Sequence, residues 1–326
     1  MRRRDFIKAI AYSATGCPLA ARAQQGIRRI GVLMGTAETD PVAQDDVRSL
    51  REGLQELGWL EGQNIQVELR WGNADVLLMQ RYSADLVQSK VDVLLGQAPA
   101  VTGALQQATH SIPIVFVMIP DPVEAGFVTS ISHPGSNITG FTHFDPTMGG
   151  KWLEVLKGIA PAVDQVAIVF NPVTVSRAYF PPLVGAARSF AVEAFETPIH
   201  DAAEIERAVD TFAQVPKGGL VVLPDVTTTV HRKSIIKLAA QLLLPAVYPW
   251  AYFVREGGLV SYGVNRADLF RRAASYIDRI LRGERPEHLP VQGPIKFETA
   301  IYAKTAKALG LIVPPGLLVT ADEVID

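Results

Sequence analysis

Residues Arg28–Met34 (RRIGVLM) form a nearly unbroken apolar run, and Asp40–Leu57 follows with helical spacing. The pair recurs down the chain, and this recurrence limits the fold more than any other feature. Ile65–Trp71 reads as a strand and Ala74–Ser89 as a helix, with Leu77, Leu78, Tyr82 and Leu86 on one side. Val91–Leu95 (strand), Val101–Ala108 (helix) and Ile114–Met118 (strand) continue it. A βαβα rhythm of apolar strands implies a parallel sheet covered by helices on both faces.

The rhythm restarts after Asp145-Pro146, with Thr142–Pro146 as the join. Lys151–Ile159, Ser176–Ala191, Glu204–Val215 and Lys233–Leu243 read as helices; Gln165–Phe170, Val192–Thr197, Leu220–Leu223 and Ala246–Tyr248 read as strands. Two similar α/β units follow from this, and 326 residues suffice for two domains of ordinary size. Leu259–Tyr262, a helix over Asp268–Leu281 and the closing Ile295–Ile325 are too small for a third domain and complete the first two.

The amino terminus stands apart. Arg2, Arg3 and Arg4 precede a mild apolar stretch that ends at Ala21-Arg22-Ala23. A basic start, an apolar run and a small-x-small site are the layout of an export signal. Arg3-Arg4-Asp5-Phe6-Ile7-Lys8 resembles the twin-arginine consensus, so residues 1–23 read as a leader cleaved after Ala23. A lipoprotein reading on Cys17 leaves the Ala21-Arg22-Ala23 site unexplained. A retained first helix would be broken by Gly16 and Pro18. The leader holds five basic residues and one acid, so the chain's net charge of −2 leaves −6 on the rest. That balance argues against nucleic acid. The single cysteine lies in the leader, so the mature chain has no disulfide and no thiolate nucleophile.

Familiar catalytic patterns are missing. None of His110, His133, His143, His200, His231 and His288 has the spacing of a helical metal pair. There is no GxSxG elbow, no phosphate loop and no GxGxxG after the first strand. No cofactor or metal is expected. What remains is the carboxyl ends of the strands, where open α/β sheets bind ligands. These carry Gly35-Thr36, Gln97-Ala98, Asp121-Pro122, Asn171, Asp225 and, beside β-strand Ala246–Tyr248, Tyr248 and Trp250. Small residues, single polar groups and nearby aromatics suit a small molecule with a polar end and an apolar body. Each also has a plainer reading: the aspartates as helix or turn caps, the aromatics as core.

Longer stretches carry a resemblance. "RRRDFI…PLAARAQQ", "GLQELGWLEGQNIQVELRW", "SIPIVFVMIPDPVEAGFV", "HPGSNITGFT", "GGLVSYG" and "TAKALGLIVPPGLLVTADEVI" are similar to ABC-transporter substrate-binding proteins of the tryptophan/tyrosine type. The resemblance implies a type I periplasmic-binding fold: two doubly wound parallel-sheet lobes, three crossovers and ligand in the interlobe cleft. It implies lobes of 26–142 with 257–287 and of 143–256 with 288–326. Gly35, Thr36, Gln97, Asp121, Asn171 and Asp225 become its cleft contacts, and Asp121 and Asp225 face each other across the cleft. The implied protein is a periplasmic monomer that hands a small organic solute to an inner-membrane ABC permease. Two other functions fit the residues: a sensor subunit for a membrane receptor, and an enzyme on a two-lobed scaffold.

Overall fold

The computed structural model describes residues 26–326 except Pro146 and Thr174. The leader, its arginine pair and its cleavage site lie outside the described residues. The first sheet has five parallel strands: β1 (Arg28–Met34), β2 (Ile65–Trp71), β3 (Val93–Gln97), β4 (Ile114–Ile119) and β5 (Ile138–Thr142), in the order β2-β1-β3-β4-β5. Strands β3 and β4 are buried throughout, which explains their continuous apolar sequence. Helices α1 (Pro41–Glu56), α2 (Val76–Gln88) and α3 (Pro99–Ala108) connect the first four strands. Asp40 starts α1 by accepting the N–H groups of Val42 and Ala43, with Pro41 in the first turn. Asp75 starts α2 by accepting from Leu78.

The second sheet has seven strands in the order β12-β11-β10-β9-β8-β6-β7. They are β6 (Gln165–Phe170), β7 (Glu193–Pro198), β8 (Gly218–Val222), β9 (Ala246–Tyr248), β10 (Val260–Val264), β11 (Phe297–Tyr302) and β12 (Glu323–Ile325). Only the β10–β11 pair is antiparallel. Helices α4 (Met148–Ile159), α5 (Phe180–Ser189), α6 (Ala202–Ala213), α7 (Val226–Val230), α8 (Arg232–Gln241) and α9 (Ala251–Arg255) belong to this unit. Two sheets of mostly parallel strands make a two-lobed type I periplasmic-binding fold. Among the described residues, no helix is long and apolar enough to cross a membrane.

The crossings between units differ from the expected boundaries in two places. Strand β10 was expected in lobe one, but it pairs with β9 and β11 in the second sheet. The short α9 returns the chain alongside β9, so β10 extends that sheet before any crossing. The chain crosses at Asn265, and α10 (Arg266–Leu281) packs on α1, β4 and β5 of the first unit. The chain then stays with the first unit beyond residue 288. Thr142 N–H donates to the Gln292 carbonyl and Gln292 N–H to the Gly140 carbonyl, so the third crossing lies between Gln292 and β11. Strand β5 was not foreseen at all. Its sequence, ITGFT, lacks an apolar run, and Gly140 is needed because a Cβ there would sit 2.1 Å from the Phe116 carbonyl oxygen.

Helices α1 and α10 approach closely at Gly53, where a Cβ would lie 2.7 Å from the Arg271 carbonyl oxygen and 2.9 Å from Ala274 Cβ. Gly158 of α4 is exposed with open space around it. Both positions would gain helix propensity from alanine, by up to ~1 kcal/mol. Thermal or urea unfolding should therefore separate them. Gly158→Ala should stabilise, whereas Gly53→Ala should destabilise by about 1–3 kcal/mol because backbone must move. Equal gains from both would contradict the tight α1–α10 contact.

Candidate ligand-binding site

Each sheet has one point where strand order reverses, and both are built the same way. In the first sheet β1 lies between β2 and β3; in the second, β6 lies between β7 and β8. Such reversals open a crevice at the strands' carboxyl ends. At the first, Gly35 N–H donates to Gln97 Oε1 at 2.9 Å. At the second, Asn171 N–H donates to Asp225 Oδ2 at 3.0 Å. In both cases the residue after the first strand gives its N–H to a side chain at or just past the carboxyl end of the neighbouring strand. Gly35, Thr36, Gln97, Ala98, Asn171 and Asp225 therefore gather at the two crevices, one set in each unit. Ala98 has φ 81° and ψ 158°, a region normally held by glycine, so the backbone is strained at the first crevice.

The individual side chains divide into free and engaged groups. Asp225 is engaged on both oxygens: Oδ1 accepts from Thr228 N–H at 2.8 Å and Oδ2 from Asn171. It caps α7, and burial raises its pKa against those hydrogen bonds. Asn171 is engaged as well, with Nδ2 donating to Thr227 Oγ1 and Oδ1 accepting from Val173 N–H. Asp121 uses one oxygen: Oδ1 accepts from Val123 and Glu124, which folds its own turn, while Pro122 is buried beneath with its carbonyl accepting from Phe127. Thr36 Oγ1 is buried without a partner among the described residues. Tyr248 is core: it is 1% exposed and stacks on Phe253 at 5.2 Å. Trp250, also buried, lies elsewhere, beside the crossings.

Trp250 belongs to a cluster that strand-end reasoning did not find. Arg266, the first residue after the second crossing, donates through Nε and Nη2 to Asp46 of α1. Its guanidinium carbon lies 5.7 Å from the centre of the Trp250 ring. His143, in the first crossing, lies 5.7 Å from the same ring by centroids. Tyr252 of α9 is within electrostatic range of Arg266 and Asp46, and its hydroxyl is 3.5 Å from Thr229 Oγ1. Asp46 comes from the first unit, Trp250 and Tyr252 from the second, and His143 and Arg266 from the crossings between them. A neighbouring bond, Thr142 Oγ1–H to the Pro120 carbonyl at 2.9 Å, ties the Asp121 turn to the first crossing.

The cluster's charges are fixed by burial. Burial disfavours the Arg266 guanidinium, but the Asp46 carboxylate outweighs it and Arg266 titrates above its ordinary value. Burial raises Asp46, and Arg266 opposes that rise. His143 is pushed down to about 3, first by burial and then by Arg266, so its ring is neutral. Its Nδ1 has no partner among the described residues. Tyr252 is pushed up to about 12 by burial. One signal for Asp46 was in the sequence: an acid on the apolar stripe Ala43, Val47, Leu50, Leu54. Arg266 and His143 gave none, because only the tertiary crossings bring them to Trp250.

Two surface hollows lie elsewhere. One of about 550 Å³ is lined by Arg28, Asp92, His110 and Glu287; another of about 470 Å³ by Val163, Lys217 and Pro245. Both are at the amino ends of the strands, opposite the crevices, so their size does not make them the site. Among the described residues no group of three or more His, Cys, Asp or Glu side chains could hold a metal ion.

Comparison with known proteins agrees with this architecture. Residues 36–325 match the family model described as "ABC transporter substrate binding protein". The chain belongs to that family of solute-binding components. It is 26% identical over 262 residues to a tyrosine-binding protein of Clostridioides difficile, covering 80% of this chain and 75% of the relative. A conserved domain protein of Vibrio cholerae superposes with a TM-score of 0.80 at 26% identity, covering 91% of this chain and 99% of the other. A Streptococcus pneumoniae ABC domain in complex with L-Trp superposes at 0.81 with 22% identity, covering 92% and 100%.

The neutral, buried His143 has a consequence for acid stability. An unfolded histidine takes up a proton near pH 6.5, whereas the folded one does so only near 3. The unfolded state therefore binds more protons in that window, and folding stability falls as pH drops through it. Between pH 7 and 5 this group should cost about 2 kcal/mol. Urea unfolding of the parent and His143→Gln at both pH values should show that extra loss only in the parent. Equal losses in both proteins would place His143 in water.

Proposed function

We propose that this chain is an exported solute-binding protein that captures an aromatic amino acid between its lobes and passes it to an inner-membrane ABC permease. The observation that carries the reading is the cluster at the crossings. It combines a fixed cation, Arg266, with Trp250, Tyr252 and a neutral histidine, drawn from both units. Aromatic side chains cover an indole or phenol ring, and a cation beside them complements a polar head. The relatives named for tyrosine and crystallised with L-Trp support that ligand class. The leader, residues 1–23 with its arginine pair, supports delivery to the periplasm, where such a receptor works as a monomer. A ligand shifts two lobes toward closure only through contacts better made in the closed form, and a site fed by both units supplies them. The reading is one of binding without turnover.

The candidates assigned by sequence take unequal parts. Asp121 retains an oxygen with no partner among the described residues and suits the ligand's ammonium group. Asp225 holds its own loop together. Calorimetric titration with L-tryptophan and L-tyrosine tests the reading. Asp121→Asn and Trp250→Ala should each weaken binding by about tenfold or more, roughly 1.4 kcal/mol. Asp225→Asn should instead lower stability by up to ~1 kcal/mol through its cap, with affinity little changed. Failure of the parent to bind either amino acid would refute the ligand class. Wild-type affinity in both Asp121→Asn and Trp250→Ala would move the site away from these residues.

A further inference from the structure

We propose that Arg266 receives the carboxylate of the ligand, and that the Asp46–Arg266 pair makes the site selective for a zwitterion. The inference rests on the amino-acid reading above and specifies which group reads which end of the ligand. Three observations support it. Arg266 spends Nε and Nη2 on Asp46, whereas Nη1 has no partner among the described residues. Asp46 is almost sealed at 3% exposure, while Arg266 keeps 16%, so the open side of the pair is the cationic side. The guanidinium carbon lies 5.7 Å from the centre of the Trp250 ring, and its charge acts on His143, whose Nδ1 is buried with no partner among the described residues.

The chemistry follows from the donor count. A guanidinium has five N–H donors, and Asp46 fixes the plane so that the remaining edge is aimed rather than mobile. A carboxylate there forms charge-assisted hydrogen bonds. His143, kept neutral, adds one further hydrogen-bonding atom without adding charge. A zwitterion satisfies both ends of the site, with its carboxylate on Arg266 and its ammonium on Asp121. A plain acid leaves Asp121 without a cation, and a plain amine leaves the outer edge of Arg266 without a carboxylate, so both should bind less tightly than the amino acid.

The test uses the mature protein and three probes: L-tryptophan, tryptamine (no carboxylate) and indole-3-propionate (no ammonium). The parent should prefer L-tryptophan to tryptamine by ~30-fold or more, the scale of a hydrogen-bonded charge pair. In the double variant Asp46→Asn/Arg266→Gln that preference should collapse to within about threefold, the melting curve confirming a folded protein. Should the double variant not fold, Arg266→Lys decides, since lysine keeps Asp46 paired but lacks the fork. It should weaken L-tryptophan by ~10-fold and leave tryptamine alone. Equal binding of tryptamine and L-tryptophan by the parent overturns the inference and leaves the aromatic reading standing. A preference that survives in the variant also overturns it, placing the carboxylate elsewhere. Arg266-dependent binding of indole-3-propionate alone upholds the carboxylate contact and refutes the amino-acid reading. Binding of none of the three refutes both.

Discussion

The buried pair between Asp46 and Arg266 governs how the two units can be used. Arg266 follows the crossing out of β10, and Asp46 lies on α1, so the pair fastens the second crossing to the first unit. Such a pair adds little net stability, because desolvating both charges offsets most of their attraction. Breaking one half would leave a bare charge in a dry site and cost about 3–5 kcal/mol. Its value is therefore one of position. The close approach at Gly53 brings α1 and α10 near enough for the pair to form. The guanidinium is thereby held facing Trp250, and its field helps keep His143 neutral.

The crevices illustrate a second constraint. Both units solve the same problem, an orphan N–H after the strand at the order reversal, with a side chain at or just past the carboxyl end of the adjacent strand. Gln97 serves Gly35, and Asp225 serves Asn171. These bonds shape the floor of each crevice, and they also occupy polar atoms that would otherwise be available to a ligand. Among the described residues, Thr36 Oγ1, the second oxygen of Asp121, His143 Nδ1 and Arg266 Nη1 are left without partners. They come from different segments, which is what a site formed by two lobes requires.

Much of the fold was legible because its strands are apolar runs bounded by turn residues. Strands β1, β2, β6 and β9 begin and end where the sequence places them. Strand β5 was hidden because Thr139, Gly140 and Thr142 interrupt its apolar character. Thr139 is nonetheless buried, its hydroxyl donating to the Leu289 carbonyl at 2.6 Å. That contact spans 150 residues and has no local trace. The assignment of β10 failed for a related reason: a short strand can extend either sheet, and only its partners decide. At the site, strand-end logic located the crevice residues, but it could not tell a ligand contact from a cap. Asp225 caps a helix and Tyr248 sits in the core, and Arg266 and His143 lie in crossings that periodicity does not describe.

The proposed site holds the ligand between the lobes, against Asp121 of the first unit and Trp250 of the second, with the units closing around it. Small-angle X-ray scattering of the mature protein, with and without saturating L-tryptophan, tests that placement most directly. The account predicts a smaller radius of gyration in the bound state, with the change lost in Trp250→Ala at the same ligand concentration. Stoichiometric binding of L-tryptophan with no change in scattering would contradict it, because the ligand would then occupy one unit alone.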